Sequence, residues 1–396
     1  MGEEHEAVEN SEHLRSQRVG VGTLFCTGER QPLGFLTWRP EPGAKAAPAD
    51  LAAAYHHLAS HLRRHSMVVL LEKIFARREA ASSVLAARDS GIAGDAGRFD
   101  PAPALIEGVP CHGGQVAGVH LVAARPAEGT EPRTVSRCGH TAGVEVLTPS
   151  TRFLGLPDVS RHLADTPGLS PAEEAERTIL LAAEILAENG YSFHDVPRTW
   201  FYLDDILSWY DDFNRARNGV FDRLGLHRDG TMVIPASTGI AGVGNRGGGC
   251  MLDLVASRPV GGAGHEVTRL LNPKQNEAPE YGSAFSRGLR LKTGDTDVVF
   301  VSGTASINDD GLSTHPGDFT AQTTTSIDTV AALLATAGAR IQDVAQATAF
   351  VKRSGDTPEL ERILEARGMR DQPIVCTIAD VCREELLFEI DATVVL

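Results

Sequence analysis

The chain has 396 residues, 42% of them hydrophobic and 22% charged, which is ordinary globular composition with room for two or three domains. Its formal net charge of −15 disfavours partners that present a phosphate backbone, so nucleic-acid binding is not expected. No run approaches 18 apolar residues, so nothing in the sequence reads as a membrane span.

Residues 1–17 are acidic and polar, lack an apolar leader core, and read as a disordered tail. Strands are expected from Val19 to Phe25 and from Leu33 to Trp38. A Pro/Ala/Gly stretch then leads into an amphipathic helix near Leu51–Arg64. Met67–Ala76 is apolar enough for either strand or helix, and Ala86–Pro103 reads as a loop. Gly113–Pro126 is strand-like, and Gly143–Leu156 resembles a hairpin. Ser170, Pro171 and Glu173 carry an N-cap, an N1 proline and a capping box. The helix they open ends at Asn189-Gly190, and a strand follows at VPRTWFYL. Gly247–Gly249 lacks the Lys-Ser/Thr of a phosphate loop and reads as a hairpin turn.

The second half repeats this order. Ile179, Gly190, Asp195 and Val196 fall in register with Ile327, Gly338, Asp343 and Val344. PASTGIAG (Pro235–Gly242) parallels PIVCTIAD (Pro373–Asp380), and CMLDLVA (Cys250–Ala256) parallels LLFEIDA (Leu386–Ala392), which sets Asp253 in the place of Glu389. Four matches in order mean a duplicated domain rather than a short repeat. The glycine-rich RPVGGAGHE stretch marks the boundary, giving an N-terminal domain over 18–257 and a C-terminal domain over 258–396. The chain ends in two apolar runs, IVCTIADV and LLFEIDATVV, expected as strands joined by a short polar turn.

Glu389 interrupts the last run. Alternation allows it an outward place on a polar face, or a place held in a pocket. Tyr210 and Arg217 are seven residues apart, two helical turns, so both can address one pocket or simply belong to a surface helix. Tyr281 and Arg287 form a second Tyr/Arg pair in a Gly/Ser-rich segment. Arg198, Ser302 and Thr304 are weaker candidates. The six cysteines form no CxxC pair or Cys/His cluster, no metal site is expected, and a reducing cytoplasm suits them.

The second copy, from VVFVSGTASI through DVAQATAFVK to LLFEIDATV, resembles the RidA/YjgF family. That resemblance implies an α+β fold: two RidA/YjgF-like domains, mixed sheets each covered by helices on one face, of a kind that commonly assembles as trimers with ligand sites between subunits. The arginine with which that family holds a carboxylate is replaced by Ile374, which argues against its imine-hydrolysing chemistry. Over about residues 140–396 the chain resembles the chorismatases more closely. The motifs are RTWFYLDDI, WYDDFNRARNGVF, PASTGIAG, GGGCMLDLVA, NPKQNEAPEYGSAFSRGL, VSGTASI and FEIDATVV. This implies cofactor-independent cleavage of the enolpyruvyl ether of chorismate, with Glu389 as general acid and Tyr210, Arg217, Tyr281 and Arg287 on the substrate. Gly288 and Cys382 match the branch that forms 3-hydroxybenzoate; the alternative is the hydrolytic branch, which keeps a dihydroxycyclohexadiene acid. A non-catalytic small-molecule binder of the RidA type is the reading from a different class. The chain is expected as a monomer or a homo-oligomer.

Overall fold

The computed structural model describes residues 14–164, 166, 168–226, 234–244 and 247–396. Most of the acidic N-terminal segment expected to be disordered, residues 1–13, lies outside the described residues. Arg15–Gln17, the rest of that segment, is paired in a strand.

In chain order the first unit contains β1 (Arg15–Val19), β2 (Gly22–Cys26), β3 (Leu33–Pro40), α1 (Pro48–Arg64), β4 (Val68–Ala76), α2 (Ala81–Gly91), β5 (Ala104–Glu107), β6 (Val109–Pro110) and β7 (Val116–Ala124). The second contains β8 (Arg133–Arg137), β9 (His140–Leu147), β10 (Thr151–Leu156), α3 (Pro171–Glu188), β11 (Arg198–Leu203), α4 (Ile206–Arg223), β12 (Ala236–Ala241) and β13 (Cys250–Pro259). The third contains β14 (His265–Leu270), β15 (Gly288–Thr293), β16 (Asp297–Ala305), α5 (Phe319–Thr336), β17 (Val344–Val351), α6 (Thr357–Ala366), β18 (Ile374–Ile378) and β19 (Phe388–Val395).

The fold is α+β with mixed sheets, as the sequence implies. The span 18–257, expected as one domain, carries two separate sheets, so the described residues form three sheets in all. Their strand orders are β1-β2-β3-β7-β4-β5, β8-β9-β10-β13-β11-β12 and β14-β15-β16-β19-β17-β18, the last extended by β6. Each unit repeats one topology. Three strands lead to a long helix, then a strand, a second helix, an outer strand running parallel to the fourth, and a final strand inserted antiparallel into the middle.

That topology corrects two local expectations. β18 and β19 are not paired with each other, because β17 lies between them; likewise β11 separates β12 from β13, so Gly247–Gly249 is not a hairpin turn. A third correction concerns Ala86–Pro103. Its first part continues helix α2, which buries Val84 and Arg88, and Arg88 is held by Glu72 at 2.6 Å.

The inner faces of the three sheets share one apolar core, with Phe35, Phe75, Phe153, Tyr202, Phe300 and Phe350 among its large side chains. The outer faces carry the helices in three further cores, one per unit. β4 is buried along its whole length on both faces, which suits its largely apolar sequence, and its two charged residues, Glu72 and Lys73, are paired with Arg88 and Asp253. Polar side chains meet where the sheets converge. Lys73 sits 3.0 Å from the ring centre of Trp200 and 4.0 Å from Asp253, while Asp391 pairs with Arg198 at 2.8 Å. The ring of units closes through short backbone bridges: Ile106 with Gly244, Ala236 with Ser286, and β18 with β6. Among the described residues no helix is long and apolar enough to cross a membrane.

Candidate active site

The cavity that contains Glu389 lies between the second and third units. Helix α4 contributes Tyr210 and Arg217, β12 contributes Ser237 and Gly239, β16 contributes Gly303 and Ala305, and the turn before β19 contributes Cys382 and Arg383. The segment before β15 adds Tyr281, Phe285 and Arg287. The cavity is narrow, with about 50 Å³ open to the centre of a water-sized sphere.

Glu389 is 5% exposed and stands on β19 opposite Ala305 of β16 and Phe350 of β17. Burial and, after it, Asp391 two residues on together raise its pKa to about 8, against the opposing pull of Arg198. At neutral pH the carboxyl holds its proton. Asp391 is fixed by Arg198 Nη2 at 2.8 Å, Thr238 Oγ1 at 2.8 Å, Trp200 Nε1 at 3.1 Å and the Thr348 amide at 3.1 Å. Those four donors fix its carboxylate beside Glu389, on which its charge acts.

Arg217 is buried with no acidic partner among the described residues. Its Nη2 donates to Asn214 Oδ1 at 2.8 Å, its Nε is unpaired, and the guanidinium lies over Phe213 and Phe285 at 5.0 and 5.8 Å. A buried, incompletely paired guanidinium is costly unless an anion completes it. Arg287 spends two donors on the Asn276 carbonyl and stacks between Tyr281 and Phe285 at 5.3 and 5.4 Å. Arg383, which lines the cavity, donates from Nη1 to the Gly311 carbonyl at 2.6 Å and to Ser313 Oγ at 3.3 Å. Cys382 is pushed up to about 12, chiefly by burial and then by Glu389, so it remains a thiol. Burial also raises the Tyr210 and Tyr281 hydroxyls.

Glu389, Cys382, Tyr210, Arg217, Tyr281 and Arg287 thus share one cavity. Four other expected residues lie outside its lining. Arg198 is committed to Asp391 and Thr238. Ser302 accepts from the Ser237 amide at 2.8 Å and donates to the Ser286 carbonyl, which splices the second sheet to the third. Thr304 donates back to the Ser302 carbonyl at 2.9 Å. Gly288 faces the helix layer, where an added Cβ would stand 2.8 Å from Leu333 Cδ2, so it shapes packing under α5 and not the pocket. The duplication also shifts by two residues. Trp200 pairs with Asp253 as Thr348 pairs with Asp391, and Tyr202 pairs with Met251 as Phe350 pairs with Glu389. Asp253 is therefore the counterpart of Asp391, and Met251 that of Glu389.

Gly239, Gly303, Phe285, Arg383 and Asp391 went unnoticed in the sequence. Alternation held the signal for Gly303: in VSGTASI, once Ser302 and Thr304 are spent on internal bonds, positions 303 and 305 are the ones on the other face.

Residues 276–396 match the family model described as Endoribonuclease L-PSP. A protein of Streptomyces hygroscopicus named 3-hydroxybenzoate synthase is 32% identical over 234 residues, which are 53% of this chain and 66% of that protein. A chorismatase of Streptomyces rapamycinicus is 29% identical over 237 residues, again 53% of this chain and 66% of the relative. The chain thus covers just under two thirds of the length of these curated relatives. A chorismatase crystal structure superposes over 70% of this chain and 82% of its own, with a TM-score of 0.55 at 23% identity, which establishes the likeness of fold. In sequence and in fold the chain is similar to chorismatases. The relative of 32% identity is one named for making 3-hydroxybenzoate.

Proposed function

We propose that this protein is a chorismatase that converts chorismate to pyruvate and 3-hydroxybenzoate without a cofactor. The observation that carries the reading is Glu389: a carboxyl kept protonated by burial, in a cavity whose neighbouring Arg217 has no acidic partner among the described residues. A dicarboxylate with an acid-labile vinyl ether needs both features. Arg217 and Tyr210 hold one carboxylate, and Arg287 or Arg383 holds the other. Glu389 gives its proton to the enolpyruvyl group, the C3–O bond breaks, and pyruvate leaves. The C4 hydroxyl of the ring closes on C3 as that bond breaks, its proton returns to the Glu389 carboxylate, and the resulting epoxide opens with transfer of the C3 hydrogen as a proton to the oxygen, giving the aromatic phenol. No water enters the balance, since chorismate and the two products have the same atoms in sum. The Cys382 thiol fills the space beside the acid that an attacking water would need.

The hydrolytic branch, in which water cleaves the ether and the ring stays a diene acid, is the second reading. Purified protein incubated with chorismate alone tests both. Pyruvate with 3-hydroxybenzoate is the expected result. Pyruvate with the non-aromatic diene acid would move the protein to the hydrolytic branch, and no pyruvate would leave a binding protein. We further place the enzyme in the cytoplasm, where its six cysteines, all free thiols, are stable. Three like units closed into one ring support a monomer, which light scattering checks.

A further inference from the structure

The units repeat not only in topology but in register. Lys73 with His120, Trp200 with Asp253, and Thr348 with Asp391 are equivalent cross-strand pairs converging on the centre of the ring. Two residues further along, Phe350 pairs with Glu389 and Phe75 pairs with Gly118. The first unit therefore carries a bare glycine where the third carries the acid. On the edge strands, Thr199 pairs with Ser237 as Ala347 pairs with Ile374, so Ile374 and Cys376 of β18 are the counterparts of Ser237 and Gly239 of β12.

Ser237 and Gly239 line the cavity of Glu389, and Ile374 and Cys376 line a different one of about 320 Å³ between the third and first units. Helix α6 borders it as α4 borders the first cavity. This second cleft is larger and more open. Its cation is Arg39 on β3, one residue past the Trp38–Val119 pair. Arg39 is 8% exposed, and three of its five N–H groups go to backbone carbonyls: Gln372 at 2.9 Å, Arg370 at 2.6 Å and Pro40 at 3.2 Å. No carboxylate is bonded to it among the described residues, although Glu41 and Asp371 lie near enough to act on it. The other arginines at the rim are paired, Arg370 with Glu365 at 3.1 Å and Arg362 with Glu359 at 2.7 Å, and Glu361 lies 3.2 Å from His112, which burial keeps neutral. Among the described residues Arg39 is thus the cation of this cleft that no carboxylate bonds, and Ile374, Met369 and Cys376 supply apolar and thiol walls beside it.

We propose that this cleft is a second, non-catalytic binding site for a small ring monocarboxylate, held by its carboxylate at Arg39 and by its ring against Ile374 and Cys376. Chemistry does not occur there, because Gly118 supplies no acid. The ligand class includes the proposed product of the Glu389 cavity, so the site offers the enzyme a way to bind product away from the site that makes it. The geometry of the cleft stands whether or not chorismate is the substrate.

Calorimetric titration of the full chain with 3-hydroxybenzoate tests this. The wild type is expected to bind two equivalents. Cys376→Phe, which fills the second cleft, and Arg217→Met, which strips the cation from the first, are each expected to bind one, with thermal melting confirming that both variants fold. Phenol, which lacks the carboxylate, is expected to bind at least about tenfold more weakly at the second cleft. An unchanged stoichiometry in a folded Cys376→Phe protein would overturn the proposal, as would phenol binding equal to that of the acid in Arg217→Met. Loss of one equivalent in Cys376→Phe but none in Arg217→Met would sustain the second site while undermining the reading of the first.

Discussion

The Glu389 carboxyl rests on the bare backbone of Gly303: a Cβ built on that glycine would overlap Oε1 of Glu389 and lie 3.0 Å from its Cδ. The acid is thus aimed by an absence on the neighbouring strand. Gly303→Ala has room only if the carboxyl moves, and a displacement of about 1 Å costs on the order of a hundredfold in rate. We expect kcat for pyruvate release to fall about that much while KM changes little, because the arginines are untouched. A variant with wild-type kcat would show that the position of the carboxyl is not critical.

The pH profile follows from the same residue. Glu389 must be protonated to act, and its pKa is raised to about 8, so kcat should hold from neutral pH downward and fall as pH rises through about 8. Glu389→Gln should lose at least about a hundredfold. Stability should move oppositely. A carboxyl whose folded pKa lies above its unfolded value of about 4.5 binds more protons when folded, so its burial costs increasingly more as pH rises from about 4.5 to about 8. At pH 8 Glu389→Gln should therefore be the more stable protein, by up to a few kcal/mol, in thermal melts.

Asp391 supplies a negative charge that helps keep Glu389 protonated. Asp391→Asn removes that charge and leaves Arg198 buried without its anion. The alkaline limb of the kcat profile should shift to lower pH. The protein should also lose about 3–5 kcal/mol, the usual cost of stranding one partner of a buried pair. In Arg198→Met/Asp391→Asn part of that stability should return while the limb stays shifted below that of the wild type, since burial alone then raises Glu389. A profile unchanged in both variants would remove Asp391 from the account.

How much of this was legible in the sequence depends on what marks each element. The second and third units announce themselves because Gly190 and Gly338 both end their long helices with positive φ, at 77° and 80°, and both precede an Asp-Val pair. The first unit ends α1 in the same way, but with Ser66 at φ 54°, and enters β4 at once without the Asp-Val turn. The topology survived while the residues that punctuate it changed, so the third copy could not be read from pattern. The acid and the Tyr210/Arg217 pair were legible, because a carboxylate in a β-branched run and a seven-residue spacing are local signals. Gly288 was misplaced, and Arg383 and Asp391 passed over, because which face of a strand or turn meets the cavity is decided by packing between units.

Cys382 lines the cavity of Glu389 with its thiol neutral, and its charge cannot take part near physiological pH. Its contribution must come from volume and from a weak hydrogen bond. Cys382→Ala removes the sulfur and opens space beside the acid for a water molecule. We expect total pyruvate release to fall by less than about tenfold, since neither the proton donor nor the arginines change. The ring product should divide, with the hydrolytic diene acid appearing beside 3-hydroxybenzoate. Cys382→Ser, which keeps most of the volume but offers a stronger hydrogen-bonding group, separates the two contributions. If the serine variant retains 3-hydroxybenzoate as its sole ring product, exclusion of water is what the side chain does; if it hydrolyses as much as the alanine variant, the apolar character of the thiol matters more than its size. An alanine variant with an undivided product would place the choice of branch elsewhere in the cavity.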